Sequence, residues 1–363
     1  MKNFSGESGG IIGMYAPLIS ILAENQDLQI IGLAPKNFSE NNYSFPIVRI
    51  GPSVKIPLPK IFEALLYNHW FFPKALKSTK ADIFLSPYFD VSFNKSIISL
   101  ITIHDMCFFE VPQEYSFLRR TYFQYRTRKS AQDATFILTD SQASKKLIID
   151  LLNVSESKIS IVQNQLESSF RDFVPSVEEI KIFKDRHRIL ESAKILLYSS
   201  GFENRKNVEN FLKSSVEALS KGYFDKVLIT GGSLQRWQNA INHLNLDESN
   251  FVFTGILDPK ELKMAYLVSS AMIFPSLSEG FGRPNMEAMA LGIPIACSNI
   301  PVFKEFCQDY AAYFDPHSID SIVSALYKVS SKKKLPPRQI VPYGMNPEEL
   351  GRLLKEVVDD HAR

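Results

Sequence analysis

The chain has 363 residues, 45% hydrophobic and 22% charged; that length exceeds one comfortable hydrophobic core and predicts two globular domains. A formal charge of +2 removes any bulk electrostatic case for nucleic acid. Three cysteines without metal-ligand spacing, Cys107, Cys297 and Cys307, fit free thiols better than a disulfide framework.

The chain opens on MKNFSGES, which has no signal-peptide character and does not pattern as a buried strand, and then reaches Gly9-Gly10. No apolar run anywhere approaches the ~20 residues of a membrane span, so a cytoplasmic protein is expected. IISLITIHD (97 to 105) is a strand that ends on His104-Asp105. YSFLRRTYFQYRTRKSAQ (115 to 132) mixes Arg119, Arg120, Arg126, Arg128 and Lys129 with five aromatics. The expectation there is a surface helix with its aromatics turned inward, the alternative being a helix lying on an anionic membrane. FEALLYNHWFFPKAL (62 to 76) raises the same pair of alternatives.

TFILTDSQASKKLIIDLL (135 to 152) patterns as a strand, a Ser-capped turn and a helix, and ISIVQNQ (159 to 165) as a further strand. Residues 164 to 190 turn polar and suit a linker with a connecting helix. Strands are then predicted at 194–200, 226–231, 251–254, 271–275 and 293–298, with helices between them, notably 205–220 and 260–269. PEELGRLLKEVVDD (347 to 360) is an amphipathic helix with an acidic start. Strands alternating with helices imply parallel sheets wound by right-handed crossovers, with ligands at the carboxyl ends of the strands. The expected division is 1–170, joined by a C-terminal helix at 345–363, and 171–344.

Two stretches carry chemistry. In SEGFGRPNMEAMALG (278 to 292), Gly280 and Gly282 allow close backbone approach, Pro284 suits a helix start and Gly292 a helix stop. A helix opening there offers N–H groups and a positive dipole end to an anion, most naturally phosphate. Glu279 before the helix and Glu287 on it are carboxylates able to accept hydrogen bonds from sugar or ribose hydroxyls. Taken singly, each is better explained by helix electrostatics or solvent exposure; the whole stretch is not. In YSSGFENRKNVENFL (198 to 212), Arg205 and Lys206 stand at a helix opening, where cations oppose the dipole. A diphosphate held between them and the backbone gives the compensating reason; a solvated basic turn is the plain alternative.

SLSEGFGRPNMEAMALGIPIACSNIPVFKEF resembles the signature of retaining glycosyltransferases of the fourth sequence family, and GFENRKNVENFL resembles that family's basic diphosphate-binding segment. FTGILDPKELKMAYLVSSAMIFPS, ADIFLSPYF, TIHDMCFF and FILTDSQASKKLI are similar to family segments in order, the N-terminal ones with a mannosyltransferase flavour. The resemblance implies an α/β fold of two Rossmann-like domains facing a cleft, the GT-B architecture. It implies contacts of Glu279 with the transferred sugar, of Glu287 with the ribose, and of Arg205 and Lys206 with the leaving diphosphate. It further implies backbone contacts from Phe281 and Gly282 to sugar or phosphate, from Gly9 and Gly10 to the diphosphate, and a place for His104 beside sugar and acceptor. For His104 a strand-end histidine bonded to a backbone carbonyl is the competing reading.

The implied activity is retaining transfer of a hexose, with mannose from GDP-mannose the leading donor, to a glycan or lipid-linked glycan in polysaccharide biosynthesis. Neither a metal nor a separate cofactor is expected, no Asp-x-Asp site being evident. The alternatives are a non-catalytic sugar-nucleotide-binding partner of another transferase and, less favoured, a nucleotide-sugar epimerase. The sequence departs from the family's pattern in lacking a buried strand before Gly9-Gly10 and in placing Gln165 where a glycine is usual.

Overall fold

The computed structural model describes residues 29–35, 46–50, 70–89, 97–162, 166, 170, 173–337 and 349–355. Gly9, Gly10 and Gln165 lie outside these residues, as does most of 62–76. By packing, the chain divides into two units. One comprises Met1–Met106, Phe117–Gln165 and Pro342–Arg363; the other comprises Cys107–Ser116 and Leu166–Val341. Placing Cys107–Ser116 in the second unit is the departure from the division expected from sequence.

In the first unit, β1 (Gly32–Pro35) and β2 (Ile47–Ile50) form a parallel pair. Helix α1 (Phe72–Thr79) precedes a second parallel sheet with strands in the order β3 (Ile83–Ser86), β4 (Ile98–Thr102), β5 (Phe136–Thr139) and β6 (Ile159–Ile161). Helix α2 (Phe117–Asp133) lies between β4 and β5, and α3 (Gln142–Leu152) between β5 and β6. Strand β4 is buried at every residue, as its unbroken apolar run requires in a parallel sheet. Ser141 caps α3, its hydroxyl accepting from the Ser144 N–H at 3.0 Å. Leu350 and Leu354, from the helical stretch 349–355, pack with Ile98, Leu100, Leu138 and Val162.

Helix α2 meets its expectation only in part: Tyr122 and Phe123 are half-buried, with Phe123 edge-on to Phe89 at 5.8 Å, but two other aromatics are not covered. Its buried residues are Arg126, Thr127, Ser130 and Ala131, whereas Phe117, Leu118 and Tyr125 are 67%, 72% and 64% exposed. Phe117 and Tyr125 are thus the two aromatics of this helix that are not turned inward. The face of α2 against its unit is built from short side chains, which admit close approach of the helix, and from the buried Arg126.

The second unit is a six-stranded parallel sheet in the order β12-β11-β10-β7-β8-β9. Its strands are β7 (Ile195–Ser199), β8 (Lys226–Thr230), β9 (Phe251–Gly255), β10 (Ala271–Phe274), β11 (Ile295–Ser298) and β12 (Ala311–Phe314). Counted from β7, this is the doubly wound order 3-2-1-4-5-6 with its reversal between β7 and β10. A capping box at Ser176 and Glu179 starts helix α4 (Val177–Arg186), which enters the unit before β7. The crossovers are α5 (Val208–Ser220), α6 (Leu234–His243), α7 (Pro259–Val268), α8 (Arg283–Ala290) and α9 (Pro301–Cys307), and α10 (Ile319–Ser330) follows β12. The core is aromatic: Tyr198 stacks on Phe211 at 4.1 Å, and Trp237 meets both edge-on.

Candidate functional site

Because the strand order reverses between β7 and β10, their carboxyl ends send consecutive crossovers to opposite faces of the sheet and leave a crevice between the two following loops. The loop after β7 carries Arg205 and Lys206; the loop after β10 carries Glu279. The two stretches singled out from sequence are thus brought to one place by topology, and the loops are joined by the Leu277 N–H donating to the Arg205 carbonyl at 2.8 Å.

Arg205 and Lys206 do not open the α-helix as expected. They occupy a separate 3-10 turn, Asn204–Lys206, and Asn207 in the left-handed region (φ 57°) breaks the chain before α5 begins at Val208. The helix dipole is therefore not opposed by cations in its own first turn. Glu279 sits between both cations: one carboxylate oxygen accepts from Lys206 Nζ and the other lies 3.1 Å from Arg205 Nη1. The Lys206 ammonium also lies 5.0 Å from the centre of the Phe274 ring, and only 8% of the residue is exposed.

Burial alone would raise the Glu279 pKa, but Arg205 and Lys206 outweigh it and hold the carboxyl down to about 2. For Lys206 the balance runs the other way. Burial, seconded by the Arg205 charge, lowers its pKa despite the pull of Glu279. The consequence is an ionised Glu279 between two cations, and with Glu203 on Arg205 the two positive and two negative charges of the cluster balance. Arg205 is further held by Glu203 at 2.9 Å and by the Ser278 carbonyl at 3.1 Å.

Gly282 is the N-cap of α8 at φ 86°, and a Cβ there would lie 2.6 Å from the Phe303 ring, so both backbone and space demand glycine. Phe281 packs edge-on against Phe306 of α9 at 4.6 Å, and Gly280 is buried beside it. Gly292, at φ 71° after the last turn of α8, ends the helix as its sequence position suggested.

Glu287 is buried inside α8. It accepts from the Tyr266 hydroxyl at 2.8 Å and from Arg283 Nε at 3.0 Å. A ribose hydroxyl would be a further donor to this carboxylate, which has lone pairs beyond those the two donors use. Burial, with the Glu287 charge beside it, raises the Tyr266 pKa far above the ordinary value, so the phenol remains a donor.

In the other unit, His104 lies just beyond β4, part-buried. Its Nδ1 is 2.8 Å from Asp140 Oδ2 and its Nε2 is 3.0 Å from the Pro87 carbonyl oxygen. The bond to a backbone carbonyl was one of the two readings offered by sequence; Asp140 was not foreseen. A carbonyl can only accept, so Nε2 carries a proton, and the carboxylate favours a second one on Nδ1. Burial would lower the pKa, but Asp140 outweighs it and the net direction is up. Among the described residues no group of three His, Cys, Asp or Glu is placed to hold a metal ion, and no helix is long and apolar enough to cross a membrane.

Sequence reasoning missed the residues that support this site. Tyr266 and Arg283 hold Glu287; Ser278 and Asn204, immediately before Glu279 and Arg205, tie into residues 107–116. The Ser278 hydroxyl donates to Glu110 Oε2 at 2.6 Å, and the Asn204 amide donates to the Glu114 carbonyl at 3.4 Å. Neither contact leaves a periodic or motif signal.

Residues 179–344 match the family model described as glycosyl transferases group 1. O-antigen chain mannosyltransferase RfbU of Salmonella typhimurium is 29% identical over 231 residues, covering 63% of this chain and 60% of that protein. O-antigen chain mannosyltransferase B of Escherichia coli is 27% identical over 253 residues, covering 68% and 65%. The match thus spans under two thirds of the length of these relatives. Among solved structures, WaaG, a glycosyltransferase involved in lipopolysaccharide biosynthesis, superposes with a TM-score of 0.70 at 17% identity, covering 89% of this chain and 88% of that one. Anabaena Alr3699/HepE in complex with UDP and glucose gives 0.61 at 14% identity, covering 97% of each. At these identities the likeness establishes the fold, that of the GT-B glycosyltransferases with two Rossmann-like domains.

Proposed function

We propose, from the premise that residues 179–344 belong to the group 1 glycosyl transferases, that this chain transfers a hexose from a nucleotide-diphosphate sugar to a glycan acceptor. The observation that carries the reading is the placement of Arg205, Lys206 and Glu279 on two loops at the switch point of the doubly wound sheet. Breaking a glycosyl–phosphate bond develops positive charge at the anomeric carbon and negative charge on the departing diphosphate. Arg205 and Lys206, held in a part-buried setting and aided by the opening of α8, stabilise that negative charge. The ionised Glu279 accepts hydrogen bonds from hydroxyls of the sugar being transferred. Glu287 accepts from a ribose hydroxyl alongside its Tyr266 and Arg283 donors.

Retention of anomeric configuration follows if the acceptor approaches on the leaving-group side, with the departing phosphate taking its proton. The leaving charge is met by side-chain cations and backbone dipoles, and no metal is assigned a role. GDP-mannose is the donor we favour, supported by relatives that are themselves named mannosyltransferases. The corresponding acceptor is a growing surface glycan or its lipid-linked form. A role for His104 toward sugar or acceptor rests on the family resemblance alone, since both its ring nitrogens are already engaged, by Asp140 and by the Pro87 carbonyl. Exposed Phe117 and Leu118, followed in α2 by Arg119 and Arg120, support peripheral contact with an anionic membrane on its cytoplasmic face.

The second reading, a sugar-nucleotide-binding partner without turnover, differs in one measurable respect: it binds the nucleotide sugar and releases none of the nucleotide. A thermal-shift panel of GDP, UDP, ADP and their common sugar conjugates tests the binding half. A ligand at 100 times its Kd should stabilise the protein by about 2.7 kcal/mol. A shift confined to one base and lost in Lys206→Ala supports the donor site, and nucleotide release from the matched sugar conjugate establishes turnover. No shift with any nucleotide would overturn the reading.

A further inference from the structure

Residues 107–116 are joined in sequence to the first unit on both sides, yet pack with the second. They form a compact hairpin-like piece: the helical turn Cys107–Glu110, then the 3-10 turn Pro112–Glu114. It is closed internally by the Val111 N–H on the Cys107 carbonyl at 3.0 Å and by the Phe108 and Tyr115 rings at 4.3 Å. This one piece holds two loops of the site. Glu110 accepts from Ser278, the residue before Glu279; the Glu114 carbonyl accepts from Asn204, the residue before Arg205.

Ser278 is 1% exposed and stands at a junction. Its hydroxyl goes to Glu110, its own carbonyl accepts from Arg205, and the next residue is clamped by Arg205 and Lys206. A hydroxyl donating to a carboxylate at 2.6 Å makes a charge-assisted bond, stronger than a neutral one. Ser278 can turn only a little about its backbone without carrying Glu279 with it. The spacing between Glu279 and the two cations is therefore set partly from Glu110.

We infer that Cys107–Ser116 is a positioning strap for the anion-binding loops, with Glu110 acting through Ser278 to orient Glu279 and, through the Asn204 tie, Arg205. Neither Glu110 nor Ser278 touches the reacting atoms. The inference rests on the donor-site reading above for its functional consequence, while its structural content stands apart from it.

The experiment compares full-length wild type, Glu110→Gln, Ser278→Ala and Ser278→Thr. Two measurements are made: GDP and UDP affinity by calorimetry, and amide hydrogen exchange across residues 203–208 and 276–282 without ligand. Glu110→Gln and Ser278→Ala should each weaken nucleoside diphosphate binding about tenfold, the scale expected for one charge-assisted bond. The double variant should be no worse than Ser278→Ala alone, because Glu110→Gln only takes the charge from the bond that Ser278→Ala removes outright. Ser278→Thr keeps the hydroxyl and should bind as wild type does, a rescue that a mere packing role would not give. Exchange in both loops should speed up in Glu110→Gln, while the melting temperature of this half-exposed contact changes little. With a turned-over donor, the loss should fall on KM more than on kcat.

Wild type that binds neither nucleotide and shifts with no member of the wider panel overturns the donor-site reading, and the exchange data then judge the strap alone. Wild type that binds, with Glu110→Gln unchanged in both affinity and loop exchange, overturns the strap. Additive losses in the double variant overturn it as well.

Discussion

Removing Lys206 tests the central ion cluster most directly. Glu279 is held at about 2 against an ordinary 4.5, and at 1.36 kcal/mol for each unit this difference is worth about 3 kcal/mol to the folded state at neutral pH. That contribution is shared between Lys206 and Arg205, which keeps its own contact at 3.1 Å. Lys206 itself loses hydration on burial, so deleting it returns part of the loss. Lys206→Met should therefore destabilise the second unit by about 2 kcal/mol, below the roughly 3–5 kcal/mol for stranding a buried charge without any partner. The sign with pH is fixed by the depressed carboxyl. Its stabilisation is full above about 4.5 and is lost as pH falls through the folded value near 2, so the gap between variant and wild type should narrow from pH 6 towards pH 3. Of the two tryptophans, Trp237 is buried in the core of this unit and Trp70 is exposed in the other, so denaturant unfolding followed at a blue-shifted emission reports the right unit. An unaltered midpoint in Lys206→Met, or a gap that does not change with pH, would refute the account of the cluster.

Gly282→Ala should lose roughly 1–2 kcal/mol from the left-handed backbone alone, more from the clash with Phe303, and should weaken nucleotide binding; thermal melts with and without GDP check both. Tyr266→Phe leaves Glu287 one donor short in a buried setting and is expected to cost about 1–3 kcal/mol in urea unfolding. Asp140→Asn should lower the His104 pKa, read from its imidazole proton shifts in NMR. The raised His104 contributes stability below about 6.5 that disappears as pH rises through its folded value, and Asp140→Asn should remove that pH dependence. An unshifted His104 would mean that Asp140 does not hold the second proton.

How far the sequence foretold the molecule depended on the physical nature of each signal. Strands β7, β8 and β10 are continuous apolar runs because a central parallel strand is covered on both faces, and such runs are visible in one dimension. The turn chemistry at Gly282 and Gly292 was equally visible, since only glycine tolerates those backbone angles cheaply. Asn207 was not: a left-handed asparagine leaves no pattern, so the break that sets Arg205 and Lys206 apart from α5 was missed. Helix α2 was legible only in part: Tyr122 and Phe123 are half-buried as aromatic content suggests, but the fully buried face is the small one around Ser130 and Ala131. Edge strand β12 is four residues long and only its last, Phe314, is buried, too weak a signal to single out. The strap at Cys107–Ser116 was illegible in principle, because membership of a unit is decided by packing and this piece is flanked by chain that packs elsewhere.

The neighbouring of β7 and β10 also bears on when the site comes into existence. Strands β8 and β9 intervene between them in the chain, and the partners Lys206 and Glu279 are 73 residues apart. During synthesis the basic turn emerges first, with Glu203 beside Arg205, and Lys206 meets its own counter-charge only when the strand leading to Glu279 has docked. Closing so long a loop carries a large entropic cost before any contact repays it. The Lys206–Glu279 pair therefore cannot form until β10 has docked beside β7, and its presence reports that the sheet has closed in its correct order.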